Sequence, residues 1–277
     1  MSHKRRLRFR PLPILVALLS IAYLLIIVAL PVGAILYNAF AGGWQAFWEA
    51  LQDDETQHAL KLTVTVCAVA VPFNTVFGLA AAWVLARHRF VGRGLLAAFV
   101  NLPLALAPTI AGLLVVLAYS PTIGLFRTPV LASGVQILFA WPGLVLATLL
   151  VTVPLVALEV LPSLEQLDPA DTQAARTLGA TGWQTFWRVT LPAIRWSVLY
   201  GVVLCTAKAA GEFGAVSAVS GRLIGETNTL TLHIERSYAE YETTKAFTSA
   251  TLLTLLAVGT LAINVLLHRQ AAKRGLR

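Results

Sequence analysis

The sequence predicts an all-helical integral membrane protein with six membrane-spanning helices and both termini in the cytoplasm. Three observations carry this expectation. The 277-residue chain is 57% hydrophobic and only 12% charged, about half the charged fraction of a soluble domain. Its charges gather in short polar stretches between long uncharged runs, the pattern of a chain that crosses a bilayer. The basic residues fall on alternate connections, as the excess of Lys and Arg on cytoplasmic loops requires.

Six runs reach the length of about 20 apolar residues that a bilayer core demands. They cover 12–40, 60–86, 95–119, 134–158, 193–220 and 246–267. The chain divides accordingly. Residues 1–58 form an N-terminal cytoplasmic tail, the first span and an external loop. Residues 59–268 form the transmembrane core, with a polar cytoplasmic loop at 161–192. Residues 269–277 form a basic cytoplasmic tail.

The first run follows a basic start (Lys4, Arg5, Arg6, Arg8, Arg10) and ends in Ala39-Phe40-Ala41. It is far longer than the roughly 7–15 apolar residues of a signal sequence, so it is expected to stay as an uncleaved span. The other basic clusters sit in the second connection (Arg87, Arg89, Arg93), the fourth (Arg176, Arg188, Arg195) and the tail (Arg269, Lys273, Arg274, Arg277). With six spans all of these share one side. The opposite side carries Arg127, Arg222, Arg236 and Lys245 together with the acidic Asp53, Asp54 and Glu55. Dropping any one span would scatter basic clusters over both sides.

Pro31, Pro72, Pro103, Pro108, Pro142 and Pro154 lie within the runs. Neighbouring helices compensate the lost backbone bonds in lipid. Such kinks suit a protein that opens and closes, and equally the ordinary use of proline in membrane helices. Cys67 and Cys205 lie in apolar runs, too far apart for a metal site or disulfide framework, and read as small buried hydrophobes.

The polar loop is the richest local signal. Asp168 is placed as a helix N-cap with Pro169 at the first helical position. Asp171 follows in the first turn, where the helix dipole favours an anion. Ala174 and Ala175 continue the helix and Gly179 ends it in a left-handed cap. Thr181 and Gln184 have capping-box spacing and start a second short helix, with Trp183, Phe186, Trp187 and Thr190 on one largely aromatic face. Pro192 opens the fifth span.

This loop resembles the EAA loop of ABC-importer permeases, whose pattern is Glu-Ala-Ala, three residues, Gly, nine residues, Ile, one residue, Leu-Pro. Here Gln173-Ala174-Ala175, Gly179, Val189 and Leu191-Pro192 keep every spacing. Gln173 replaces the usual Glu and loses its charge, which puts in question a salt bridge to the ATPase there; Val189 replaces Ile. The resemblance implies a type I importer bundle in a bacterial cytoplasmic membrane, with a peripheral first helix and a pore built from the later five. It also implies a coupling helix that docks in a groove of a separate ATP-hydrolysing subunit. Gln173, Ala174, Ala175 and Gly179 would make that contact, with Leu191 and Pro192 closing the motif.

Lys208 and Glu212 lie inside the fifth run. Each costs about 2.5–3.5 kcal/mol at the centre of a span, which the apolar residues there offset only in part. This helix therefore belongs in the bundle or beside a wet cavity. The two charges, four apart, can meet on one face. Ala207, Gly211 and Ala215 run beside them as a stripe that permits close helix contact. Two readings stand: a translocation path with a cation facing an anion, or an internally paired ion pair that supports packing or gating. The neutrality of the pair favours the second.

Gly211-Glu212-Phe213-Gly214-Ala215 resembles oxyanion permeases. The run through Val216-Ser217-Ala218-Val219-Ser220-Gly221 and Gly225-Glu226-Thr227-Asn228-Thr229-Leu230 resembles more narrowly the W-type subunits of sulfate and thiosulfate importers. Molybdate permeases share the loop and the Gly-Glu-Phe-Gly core. The implied partners are cytoplasmic ATP-binding subunits, a sister permease subunit, a periplasmic or lipid-anchored sulfate-binding protein, and membrane lipid.

Other classes are disfavoured. Gly92-Arg93-Gly94 lacks the Gly-Lys-Ser/Thr ending of a phosphate-binding loop, so the chain is not expected to hydrolyse ATP. His3, His58, His88, His233 and His268 lack metal-site spacing. Ser197, Ser217 and Ser220 have no visible base, so neither an enzyme nor a cofactor is expected. The basic residues flank spans and interleave with no base-stacking aromatics, which argues against nucleic acid. A self-sufficient secondary transporter would show internal repeats and charges in several spans, and neither is evident.

Overall fold

The computed structural model describes residues 11–128, 132 and 134–273, and the side chains of 15–128, 132 and 134–267. Lys4, Arg5, Arg6, Arg8, Arg10, Arg274 and Arg277 lie outside the described residues, as do the side chains of Arg269 and Lys273. The apolar runs fold into helices because only a helix satisfies every backbone group within one segment in lipid. In order they are α1 (Pro11–Phe40), α2 (Gly43–Gln52), α3 (Asp54–Arg87), α4 (Arg93–Ala105), α5 (Pro108–Tyr119) and α6 (Trp141–Gln166). Then come α7 (Pro169–Thr177), α8 (Gly182–Thr185), a π turn (Phe186–Thr190), α9 (Leu191–Ala210), α10 (Gly214–Val219), α11 (Leu230–Ala239) and α12 (Thr243–Lys273).

Five helical stretches are long and apolar enough to cross a membrane, and α4 with α5 form a sixth if their 114° bend is counted within one span. At the centre is α6, with α3 and α9 packed along it. Two larger apolar clusters and a small one (Ala81, Val100, Ala157) lie among the described residues. Of the larger two, one gathers Leu62, Val115, Leu144, Val151, Val216 and Leu232. The other gathers Val71, Val156, Val160, Leu164, Ile194 and Cys205. One buried polar contact crosses this core: Asn74 Nδ2 donates to Thr152 Oγ1 at 2.7 Å, joining α3 to α6. Against the outer side of α12 lies α1, with almost all of its apolar surface open to the surroundings.

Three spans differ from the expected runs. The stretch 95–119 is not one helix. Pro108 opens α5, and the residue before a proline is pushed out of the helical region; Leu106 and Ala107 are both extended. The stretch 134–158 is shifted, since α6 begins at Trp141 with Pro142 in its first turn and runs on to Gln166. The stretch 193–220 is broken after Ala210, so Ala207, Gly211 and Ala215 do not form one stripe: Gly211 is an exposed helix end and Ala215 is buried in α10.

The close approach of α10 to α5 depends on Gly112. A Cβ there would lie 2.7 Å from Ala218 Cβ and 2.9 Å from Ala215 Cα.

Candidate functional site

The loop between α6 and α9 folds as its local signals dictate, up to a point. Asp168 Oδ1 accepts from Ala170 N at 2.9 Å, and Pro169 starts α7. The helix closes in a Schellman arrangement: Gly179 N donates to Arg176 O at 2.9 Å and Ala180 N to Ala175 O at 3.1 Å. This places Gly179 at φ +84°, a conformation that favours glycine. Both hydrogen bonds of the capping box are present, Gln184 N to Thr181 Oγ1 at 3.3 Å and Thr181 N to Gln184 Oε1 at 2.9 Å.

The second helix is not a separate piece. After one α-helical turn it widens at Phe186–Thr190, where Leu191 N donates five residues back to Phe186 O, and it continues as α9. Pro192 explains the widening. Its ring would press on the carbonyl four residues back and it has no N–H to donate; a π turn opens the helix at that place. Of the expected aromatic face, Trp183, Phe186 and Trp187 cluster with ring centroids 5.5–6.2 Å apart, and Trp83 of α3 meets Phe186 edge-on at 5.2 Å. Thr190 instead points inward and is fully buried.

The side chains of α7 stay outside the core. Gln173 and Ala174 are exposed and Ala175 is half-buried. Beside Gly179, Leu178 is 87% exposed, an apolar side chain with nothing to cover it. Sequence reading passed over Leu178; a leucine at a helix C-cap, just outside the apolar runs, was the available signal. Leu191 is half-buried and Pro192 exposed at the start of α9. The arginine-bearing connection after α3 is tied to the base of α6 near this loop: Arg93 Nε donates to Leu85 O at 2.9 Å, and its guanidinium meets Glu165 Oε1 at 3.3 Å.

The second place of interest is the break after Ala210. Lys208 Nζ lies 3.0 Å from Glu212 Oε2, off line for a hydrogen bond, so the contact is electrostatic. The Lys208 side chain is 45% exposed and that of Glu212 only 1%. Glu212 also does local work that its sequence position conceals. Its Oε1 accepts from Ala215 N at 3.0 Å, capping the first turn of α10. A carboxylate at a new helix start is favoured by the dipole, which helps explain why the fifth apolar run stops here. Thr231 Oγ1 donates to Glu212 O at 3.0 Å and Leu230 N to Thr63 Oγ1 at 2.9 Å, fixing the returning segment to α3. The cavity bordering Glu212 with Thr63, Thr148 and Thr229 is about 10 Å³, at most the room of one water molecule. No oxyanion enters it. Lys208 and the half-exposed Phe213 instead face outward from the chain.

With this geometry in hand, four likenesses are informative. Residues 74–273 match the family described as binding-protein-dependent transport system inner membrane component. The chain is 48% identical over 252 residues to the sulfate transport system permease protein CysW of Synechocystis sp., covering 91% of each chain. It is 34% identical over 206 residues to the sulfate transport system permease protein CysT of the same organism, covering 74% of this chain and 71% of the relative. In fold it is similar to a chain of a bacterial alginate ABC transporter, crystallised in complex with an alginate pentasaccharide-bound periplasmic protein. That likeness has a TM-score of 0.75 and 20% identity, covering 95% of this chain and 94% of the other.

Proposed function

The chain belongs to the binding-protein-dependent transport system inner membrane components, and from that premise we propose that it is the permease subunit through which sulfate, and thiosulfate with it, crosses the cytoplasmic membrane. The observation that supports the substrate most strongly is the 48% identity to a sulfate permease over nine-tenths of both chains. A molybdate permease is the weaker reading, since both relatives named here are sulfate transport proteins. In this proposal the chain crosses six times, with α4 and α5 as one bent span, and keeps both termini in the cytoplasm.

Energy comes from ATP hydrolysed by separate cytoplasmic subunits that grip α7. Gln173, Ala174, Ala175 and Gly179 form the docking face, and the exposed Leu178 supplies an apolar knob beside them. Gln173 offers an amide where a carboxylate is usual, so this contact is a neutral hydrogen bond. Leu191 and Pro192 carry the movement into α9. A periplasmic or lipid-anchored binding protein delivers the anion on the other side, as the complex of the alginate importer suggests by analogy.

The pore lies between this chain and a sister permease. A single chain has no anion-sized cavity at Glu212, whereas Lys208 and Phe213 project from its surface. Two different sulfate permease proteins in one relative's organism suit a heterodimer. Glu212 holds the Lys208 ammonium at the wall of the path and neutralises it between passages, which joins the two readings of the pair.

The test is uptake of labelled sulfate into proteoliposomes holding this chain, its sister permease, the ATP-binding subunits and the binding protein. Uptake should require internal ATP and fall with excess unlabelled thiosulfate but not molybdate. Uptake that persists without nucleotide sinks the proposal.

A further inference from the structure

A groove of about 930 Å³ opens between the loop side of α3 and the α7–α8 segment. Its lining changes character along its length. At one end are Val76, Leu79 and Ala80; Trp83 and Trp187 flank the middle; Arg87 and Arg176 stand at the other end. Among the described residues no carboxylate lines it. Arg87 Nη2 is shielded from solvent yet has no hydrogen-bond partner, and neither arginine has an ion-pair partner among the described residues. A buried guanidinium nitrogen without an acceptor leaves a charged donor unsatisfied, which calls for an anionic occupant.

We infer that this groove is a binding site for one anionic phospholipid of the leaflet on the loop side. Val76 and Arg87 are eleven residues apart on one helix, about 16 Å at the helical rise. That is about half of the ~30 Å hydrocarbon core, the depth of one leaflet. The groove therefore runs along the membrane normal from the headgroup level to the midplane. An acyl chain fills the Val76–Ala80 end, the tryptophans sit at the interface where such rings are favoured, and Arg87 with Arg176 hold the phosphate in the fork geometry suited to it.

Two other occupants fit less well. A cytosolic ATP-binding subunit reaches the arginine end but not Val76 at membrane depth. A second copy of this chain, inserted the same way up, would bring its own Arg87 and Arg176 to the same level of the membrane, placing like charges together. The site needs only the membrane placement of α3 and the loop, so its failure leaves the import proposal standing.

The test uses the full chain in phosphatidylcholine vesicles carrying an equal minor share of either brominated phosphatidylglycerol or brominated phosphatidylcholine. Quenching of the groove tryptophans is read as the difference between the native chain and W83F/W187F. Two arginines at the headgroup level predict a roughly thirty-fold preference for the anionic lipid. The preference should fall to near unity in R87Q/R176Q, and quenching should drop for both lipids in A80F, which fills the acyl end without touching charge. Equal quenching by the two lipids in the native chain overturns the site. So does an absence of quenching by either, which means a protein covers the groove. If R87Q/R176Q does not insert, undiminished quenching in A80F overturns it as well.

Discussion

Thr56 Oγ1 lies 3.1 Å from His233 Nε2, joining the first turn of α3 to α11 across 177 residues of chain. His233 is completely buried, and its Nδ1 has no hydrogen-bond partner among the described residues. Around it stand Arg236 paired with Glu55, and Lys245 paired with Asp53 at 3.3 Å. Burial, seconded by the Arg236 charge, holds the imidazole below its ordinary 6.5, although Glu55 and Asp53 pull the other way.

The sign of the resulting pH dependence is fixed. The unfolded chain takes up a proton near pH 6.5 that the folded chain refuses until lower pH, so stability is full above that value and declines as pH falls below it. Thermal unfolding of the purified chain should show a melting temperature that is flat above about pH 7 and falls from about pH 6.5 downward. H233Q should flatten the first part of that fall. The remaining fall should lie at lower pH, where Asp53 protonates. Burial alone would raise its carboxyl, but the Lys245 and Thr56 bonds outweigh this and lower it. That stability is present above the usual carboxylate range and lost as pH drops through the depressed value. A pH-independent melting temperature in the native chain would contradict this.

Gly179 separates backbone cost from partner contact. A Cβ at that position meets nothing within 4 Å among the described residues, so a substitution costs only the left-handed conformation, about 1–2 kcal/mol for an ordinary residue. Asn tolerates that conformation better. In the assembled transporter, G179N should retain coupled uptake, while G179V should hydrolyse ATP with uptake reduced at least several-fold and membrane insertion unchanged. Coupled transport by G179V at the native rate would remove α7 from the docking role.

At the break in the fifth apolar run, K208M and E212Q should not be additive. Removing Lys208 leaves a carboxylate with 1% exposure facing no cation. The penalty falls short of the ~3–5 kcal/mol of a pair buried at both ends, because Lys208 is half-exposed. K208M/E212Q should recover part of the loss, a coupling readable as a double-mutant cycle in melting temperature. Strict additivity would show that the pair is not energetically linked.

Gly112 tests the packing of α5 on α10. G112V forces a side chain onto Ala215 and Ala218, where backbone rather than a flexible tip must move. It should destabilise by about 1–3 kcal/mol or more and lower the folded yield. G94A, in open space, is the matched control and should change neither melting temperature nor yield.

What could be read from sequence was local. The caps at Asp168, Gly179 and Thr181 depend on neighbours within a few residues, and each forms as its pattern predicts. The sharp bend at Leu106 and Ala107 lies in a uniformly apolar stretch, so hydropathy passes over it. Glu212 looked like a mid-helix charge because its partner Ala215 N becomes free only if the helix ends, which depends on the return of Thr231 and Leu230 toward α3. The groove at Arg87 was invisible for the same reason, since its walls are 84 or more residues apart. His233 had no sequence pattern at all; only the fold brings Thr56 to it.

The unbroken path from Gly182 through the π turn to Ala210 has a mechanical consequence. Twenty-nine residues of helix make a rod about 43 Å long, with the loop at one tip and the Lys208–Glu212 junction at the other. No slack joint lies between them. If α7 is gripped as proposed, tilting the rod at the membrane surface swings the far tip with it, and the spot where the helix gives way at Gly211 is where that stroke is absorbed.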